Sequence, residues 1–122
     1  MRCRVAFFGL LAAIPLCAMG APAAQEQVQY AQRCDTNIRI VNSSSSPVTR
    51  IFYNPSTNSN WGPNRLPGAV LRPGQGTVFR LATPEPYDFR IVWQGNAAAE
   101  MRSTNICQIH EVVITNDGLR VR

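Results

Sequence analysis

Tyr87, Phe89, Ile91 and Trp93 occupy every second position of Tyr87-Asp88-Phe89-Arg90-Ile91-Val92-Trp93, with Asp88 and Arg90 between them. Successive side chains of an extended chain point to opposite faces, so the four apolar groups share one face and the two charges the other. This is the pattern of a half-buried strand. Other runs repeat it more briefly. Ile38 and Ile40 flank Arg39; Val48-Thr49-Arg50-Ile51-Phe52-Tyr53 is rich in β-branched and aromatic residues; Thr77, Phe79 and Leu81 alternate; Val112 and Ile114 lie in Ile109 to Thr115; Leu119 and Val121 alternate with arginines.

Turn chemistry separates these runs. Asn42-Ser43-Ser44-Ser45-Ser46-Pro47 competes for backbone hydrogen bonds and ends in a residue that cannot donate to a ladder. Arg72-Pro73-Gly74-Gln75-Gly76 and Ala82-Thr83-Pro84-Glu85-Pro86 are further breaks. Asn116-Asp117-Gly118 reads as a hairpin whose central positions tolerate positive φ. Ala97 to Met101 reads as a loop or a short helical turn. No long helical period competes with the strands. The expected fold is all-β: a small antiparallel β-sandwich or partly open barrel of about six or seven strands over residues 37–122.

The start of the chain has a different character. Arg2 and Arg4 precede the apolar run Val5 to Ile14, and small residues follow up to Ala24. A positive start, a short apolar middle and an alanine-rich end form a secretory signal peptide, expected over residues 1–24 with cleavage between Gly20 and Gln25. The run is too short and too interrupted by Pro15 and Gly9 for a membrane span. Leu16 before Cys17 is too bulky for a lipid-attachment signal, and Cys3 separates Arg2 from Arg4, so no twin-arginine pair is present. Residues 25–36, polar and glutamine-rich, read as a flexible lead-in. The expected location is periplasmic or secreted.

Removal of the leader leaves Cys34 and Cys107. A pair of cysteines in an exported chain reads as a disulfide. Chain entropy assigns about 4 kcal/mol to closing so long a loop, a large share of the roughly 5–15 kcal/mol that holds a domain together. All 12 basic residues are arginine, and the net charge of +5 falls when Arg2 and Arg4 leave with the leader. Such an excess, spread along the chain, is far from the dense stripe of a nucleic-acid binder, and no nucleic-acid partner is expected.

Chemistry-bearing residues are sparse. His110 is the single histidine and stands next to Glu111 without a nucleophile motif nearby. One histidine and two oxidised cysteines do not make a zinc set, and no cofactor is expected. The remaining carboxylates are scattered singly. Asn54 to Gly68 is the longest irregular stretch and carries an aromatic residue, Trp61, with Asn64 three positions on. Long loops of this kind often carry function. Trp61 either stacks on a ligand or folds back over one end of a small core; Asn64 either binds or makes the turn. Asp88 and Arg90 either read a polar ligand or pair across strands. Trp61, Asn64, Asp88 and Arg90 are the candidate interaction surface.

The order of these pieces resembles a family of small, largely uncharacterised exported bacterial domains. The matching residues are Ile51-Phe52-Tyr53-Asn54-Pro55, Trp61-Gly62-Pro63-Asn64-Arg65-Leu66, Leu71-Arg72-Pro73-Gly74, Tyr87-Asp88-Phe89-Arg90 and Asn105-Ile106-Cys107, together spanning about residues 37 to 107. Asn64 stands where that family often has aspartate, which weakens any cation-binding role for the loop. The resemblance implies secretion and a β-rich fold and brings no catalytic residue with it. Together these features point to an exported, non-enzymatic binding module for an envelope protein or glycan. The alternative is a small envelope hydrolase built on His110, or an inhibitor of an envelope-degrading enzyme presenting Asn54 to Gly68 as a protruding loop.

Overall fold

The computed structural model describes residues 34–122. The expected leader and most of the lead-in lie outside the described residues. Seven strands follow in order: β1 (Asn37–Asn42), β2 (Val48–Pro55), β3 (Gly76–Arg80), β4 (Tyr87–Trp93), β5 (Ala98–Thr104), β6 (Glu111–Thr115) and β7 (Gly118–Val121). A single 3-10 turn, Ile106–Gln108, precedes β6. The strands make two sheets, β3-β1-β6-β7 and β2-β4-β5. Every ladder is antiparallel except β1 with β6, which run parallel in the middle of the larger sheet. The chain lays down β1, builds the second sheet, and only then returns beside it.

The alternation read in the sequence places the core. Ile38, Ile40, Val112 and Ile114 of the larger sheet meet Ile51, Tyr53, Phe89 and Ile91 of the smaller, and Leu71, Leu81, Tyr87 and Ile106 fill the ends. Each side chain of this size contributes about 1.5–3 kcal/mol when fully buried. Two sheets sharing one apolar interior form a sandwich.

Cys34 and Cys107 are joined, 73 residues apart in sequence. Cys34 lies just ahead of β1 and Cys107 just ahead of β6, so the bridge ties the entries of the two parallel strands at the same end. The Ser-rich connection after β1 is held by Asn42, which is fully buried. Its Nδ2 donates to the Ser46 and Leu71 carbonyls, while its Oδ1 accepts from the Ser44 amide and hydroxyl. Every polar atom of that side chain has a partner, as a buried amide requires.

Two local expectations are corrected. Residues 97–101 are not a loop or helical turn: Ala98–Thr104 is β5. Alanine and glutamate are poor strand formers, so propensity hides this strand. Tertiary pairing overrides it, because β4 offers a ladder and a tight hairpin delivers the chain to it. Gly95 (φ 96°) and Asn96 (φ 76°) make that hairpin. The second correction follows: at Asn116-Asp117-Gly118 only Gly118 has positive φ, and the consecutive left-handed pair belongs to the β4–β5 turn.

Candidate functional site

The outer face of β2-β4-β5 is arranged in rows. Phe52, Arg90 and Glu100 lie in register across the three strands, with Asn54 and Asp88 in the next row and Arg50, Val92 and Ala98 beyond on the other side. The β4–β5 register slips between Tyr87 and Phe89, so Asp88 faces two residues of β5, Arg102 and Ser103. Such a bulge leaves an amide without its ladder partner. Asp88 supplies one: its Oδ1 accepts the Ser103 N–H at 2.8 Å and the Ser56 hydroxyl at 2.7 Å, and its Oδ2 accepts Arg102 Nη1 at 3.1 Å. Asp88 is only 5% exposed.

Burial pushes the Asp88 carboxyl up, but the Ser103 amide, the Ser56 hydroxyl and Arg102 together outweigh it and hold the group below its ordinary range. Asp88 therefore lies on the expected face of its strand, yet that face is covered at this position and the carboxylate is not free to meet solvent.

Arg90 pairs with Glu100, and Glu100 also accepts Arg102 Nη2 at 2.7 Å. The Arg102 hydrogen bond, with Arg90 adding to it, holds the Glu100 carboxyl low against the opposing effect of burial. The result is one connected ladder of alternating charge, Arg90, Glu100, Arg102 and Asp88. Glu100 and Arg102 were not singled out from the sequence. The available signal is that Asp88-x-Arg90 and Glu100-x-Arg102 are complementary when their strands run antiparallel, but no local pattern marks residues 98–104 as a strand.

The long loop lies on this sheet instead of projecting from it. Asn54, buried on the outer face, donates to the Asn60 carbonyl, and Gly62 lies against the same side chain. These contacts bring Trp61 over β5, where the Arg102 guanidinium carbon lies 4.9 Å from its ring centroid. At such a distance a cation is attracted to the ring face. Trp61 itself is half-buried.

The second half of the loop covers the edge of β2 that faces away from β4. Asn64 Oδ1 accepts the amides of Ile51 (3.1 Å) and Leu66 (2.9 Å), the Arg65 amide donates to the Ile51 carbonyl (2.7 Å), and Leu71 and Val48 exchange both backbone bonds. Arg65 also donates to the Tyr53 carbonyl and lies 4.2 Å over the Tyr53 ring. An uncovered edge is a template for unwanted pairing, and this loop removes it. The structure thus brings Trp61, Asp88 and Arg90 into one cluster through Arg102 and Glu100. Asn64 belongs to the β2 edge instead, where its oxygen replaces a neighbouring strand.

Two open clefts among the described residues are lined by none of these four. One of about 470 Å³ lies where β5 approaches the β6–β7 hairpin, lined by Glu100, Thr115, Asp117, Gly118, Leu119 and Arg120. The other, about 230 Å³, is bounded by Ser46, Trp93, Gln94, Ala97 and Asn116. His110 lines neither; it is exposed, and its main chain pairs with Arg39 and Arg122. Among the described residues no three His, Cys, Asp or Glu side chains gather into a metal site, and no helix is long and apolar enough to cross a membrane. No family model matches the chain, nor does any curated protein or solved structure compared with it.

Proposed function

We propose that the protein is an exported, non-enzymatic binding module that works in the periplasm or outside the cell, and that it captures an envelope protein or glycan through the outer face of β2-β4-β5. The observation that carries this reading is the seating of Trp61: a half-buried indole fixed above Arg102, whose guanidinium is anchored to Asp88 and Glu100. Tryptophan and arginine are the residue types that most often dominate binding energy, and a side chain already fixed in place loses less entropy on contact. Phe52 and Arg90 extend the same face. Trp61, Asp88 and Arg90 line neither cleft, and only Glu100 reaches one, which suits a macromolecule better than a small ligand enclosed in a pocket. The ordered resemblance to exported β-rich domains supports export alone.

The test is capture from an envelope extract with the oxidised protein and with Trp61→Ala, each first shown by circular dichroism and thermal melting to be folded. The wild type is expected to retain a defined protein or glycan that Trp61→Ala and Arg90→Ala do not. Equal retention by wild type and both folded variants overturns the assignment of this face.

A further inference from the structure

The opposite side of the sandwich has a different charge character. Register places Arg39 and Val41 of β1, Val78 and Arg80 of β3, Glu111 and Val113 of β6, and Arg120 of β7 on the outer face of the larger sheet. Arg122 joins them, its backbone paired to Glu111. This face therefore holds four arginines against Glu111, with Asp35 at its margin, bonded to Asn37. On the smaller sheet Arg50, Arg90 and Arg102 exceed Asp88 and Glu100 by one. Of the two outer faces, the larger sheet carries the greater positive excess.

Two of the four cations are held by one carboxylate. Glu111 bridges Arg39 (3.5 Å) and Arg122 (2.6 Å). The Arg39 guanidinium lies flat across Gly76, where any Cβ would stand 2.8 Å from Nη2. Arg80 and Arg120, on the outer strands, have no carboxylate partner among the described residues. Val78, 57% exposed, stands beside Arg39 on the outer strand β3. Strands about 4.8 Å apart spread these arginines over roughly 14 Å across the sheet.

We infer that this face docks on the surface of an anionic phospholipid leaflet, with Arg39, Arg80, Arg120 and Arg122 reaching its phosphates. Charge complementarity requires a polyanion, and guanidinium forks match phosphate oxygens in pairs. The arrangement favours a lipid surface over a linear polyanion. The arginines are spread in two dimensions on a flat sheet, not along a groove, and the exposed Val78 among them can enter the interface between headgroups and acyl chains. Each arginine near such a surface contributes a modest, salt-sensitive attraction, so attachment is peripheral and reversible.

The experiment is vesicle co-sedimentation of the exported form of the protein, purified with its disulfide intact. Vesicles of phosphatidylcholine containing about one-third phosphatidylglycerol are compared with phosphatidylcholine alone. Binding is expected to the anionic vesicles only, and to weaken as salt is raised from 50 to about 300 mM. Arg80→Gln with Arg120→Gln, two exposed positions without ion pairs among the described residues, should lower it roughly tenfold or more, while Arg50→Gln on the smaller sheet should leave it unchanged. Equal binding to neutral vesicles, no binding to anionic ones, or an equal or greater loss from Arg50→Gln overturns the inference. Retention on a soluble anionic polysaccharide without vesicle binding overturns the lipid assignment in favour of a glycan.

Discussion

Ser103 donates its backbone N–H to Asp88 Oδ1 at 2.8 Å while holding φ at +55°, a left-handed conformation that L-residues other than asparagine and aspartate rarely adopt. The strain is tolerated because the same carboxylate also receives Ser56 and Arg102, so three donors converge on one buried acceptor. One aspartate thereby fixes the β5 bulge, the start of the long loop and the arginine on which Trp61 rests.

Removing that carboxylate should be costly. Asp88→Ala leaves the Ser103 amide and the Ser56 hydroxyl without their acceptor, and a destabilisation of about 2–4 kcal/mol is expected. Asp88→Asn keeps an oxygen for Ser103 but turns an amide toward Arg102, and should cost about half as much. Urea unfolding of both variants measures the difference. Equal stability of wild type and Asp88→Ala contradicts the convergence described.

The same groups set an acid dependence. Asp88 and Glu100 are both held below their ordinary carboxylate range in the folded protein. In mildly acid solution the unfolded chain therefore takes up protons that the folded one refuses. Their stabilising contribution is complete above about pH 5 and is lost as pH falls through the folded values. Melting temperature measured from pH 6 downward should fall, and Asp88→Asn should make that fall shallower. A curve identical in slope for wild type and variant would rule out Asp88 as a source.

Asn64 offers a sharp contrast between two small changes. Asn64→Ala removes the oxygen that accepts both the Ile51 and Leu66 amides, so a loss of about 1–3 kcal/mol is expected, with increased aggregation as the β2 edge opens. Asn64→Asp retains that oxygen but turns a second oxygen, in place of the Nδ2 donor, toward the Leu66 carbonyl, and should cost less than Asn64→Ala without being neutral. Denaturant midpoints and light scattering read both effects.

Reduction of Cys34–Cys107 frees the entries of β1 and β6 together. A loss of about 4 kcal/mol is expected from the 73-residue separation. Thermal melting with and without reductant checks it.

Much of the architecture was legible in the sequence because period-two alternation is a local signal. Ile38 with Ile40, and Tyr87, Phe89 and Ile91, are buried as their spacing requires. The disulfide was legible from an even cysteine pair in a chain read as exported. β5 was hidden because Ala98-Ala99-Glu100-Met101 has no strand propensity of its own and is extended only by pairing with β4. With β5 hidden, so were Glu100 and Arg102, and with them the reason Asp88 and Arg90 share a face. The parallel β1–β6 ladder depends on a return from the second sheet that no local pattern encodes. Asn64 was found as a residue of interest, but its bond to Ile51, 13 residues away, is a tertiary fact.

Residues 56–71 are a built part of the sandwich, seating Trp61 and closing the β2 edge, and amide hydrogen exchange tests this most directly. The Arg65 and Leu71 amides, bonded to the Ile51 and Val48 carbonyls at 2.7 and 2.9 Å, should exchange as slowly as amides of β2 itself. Exchange at both positions at the rate of a free chain would contradict it.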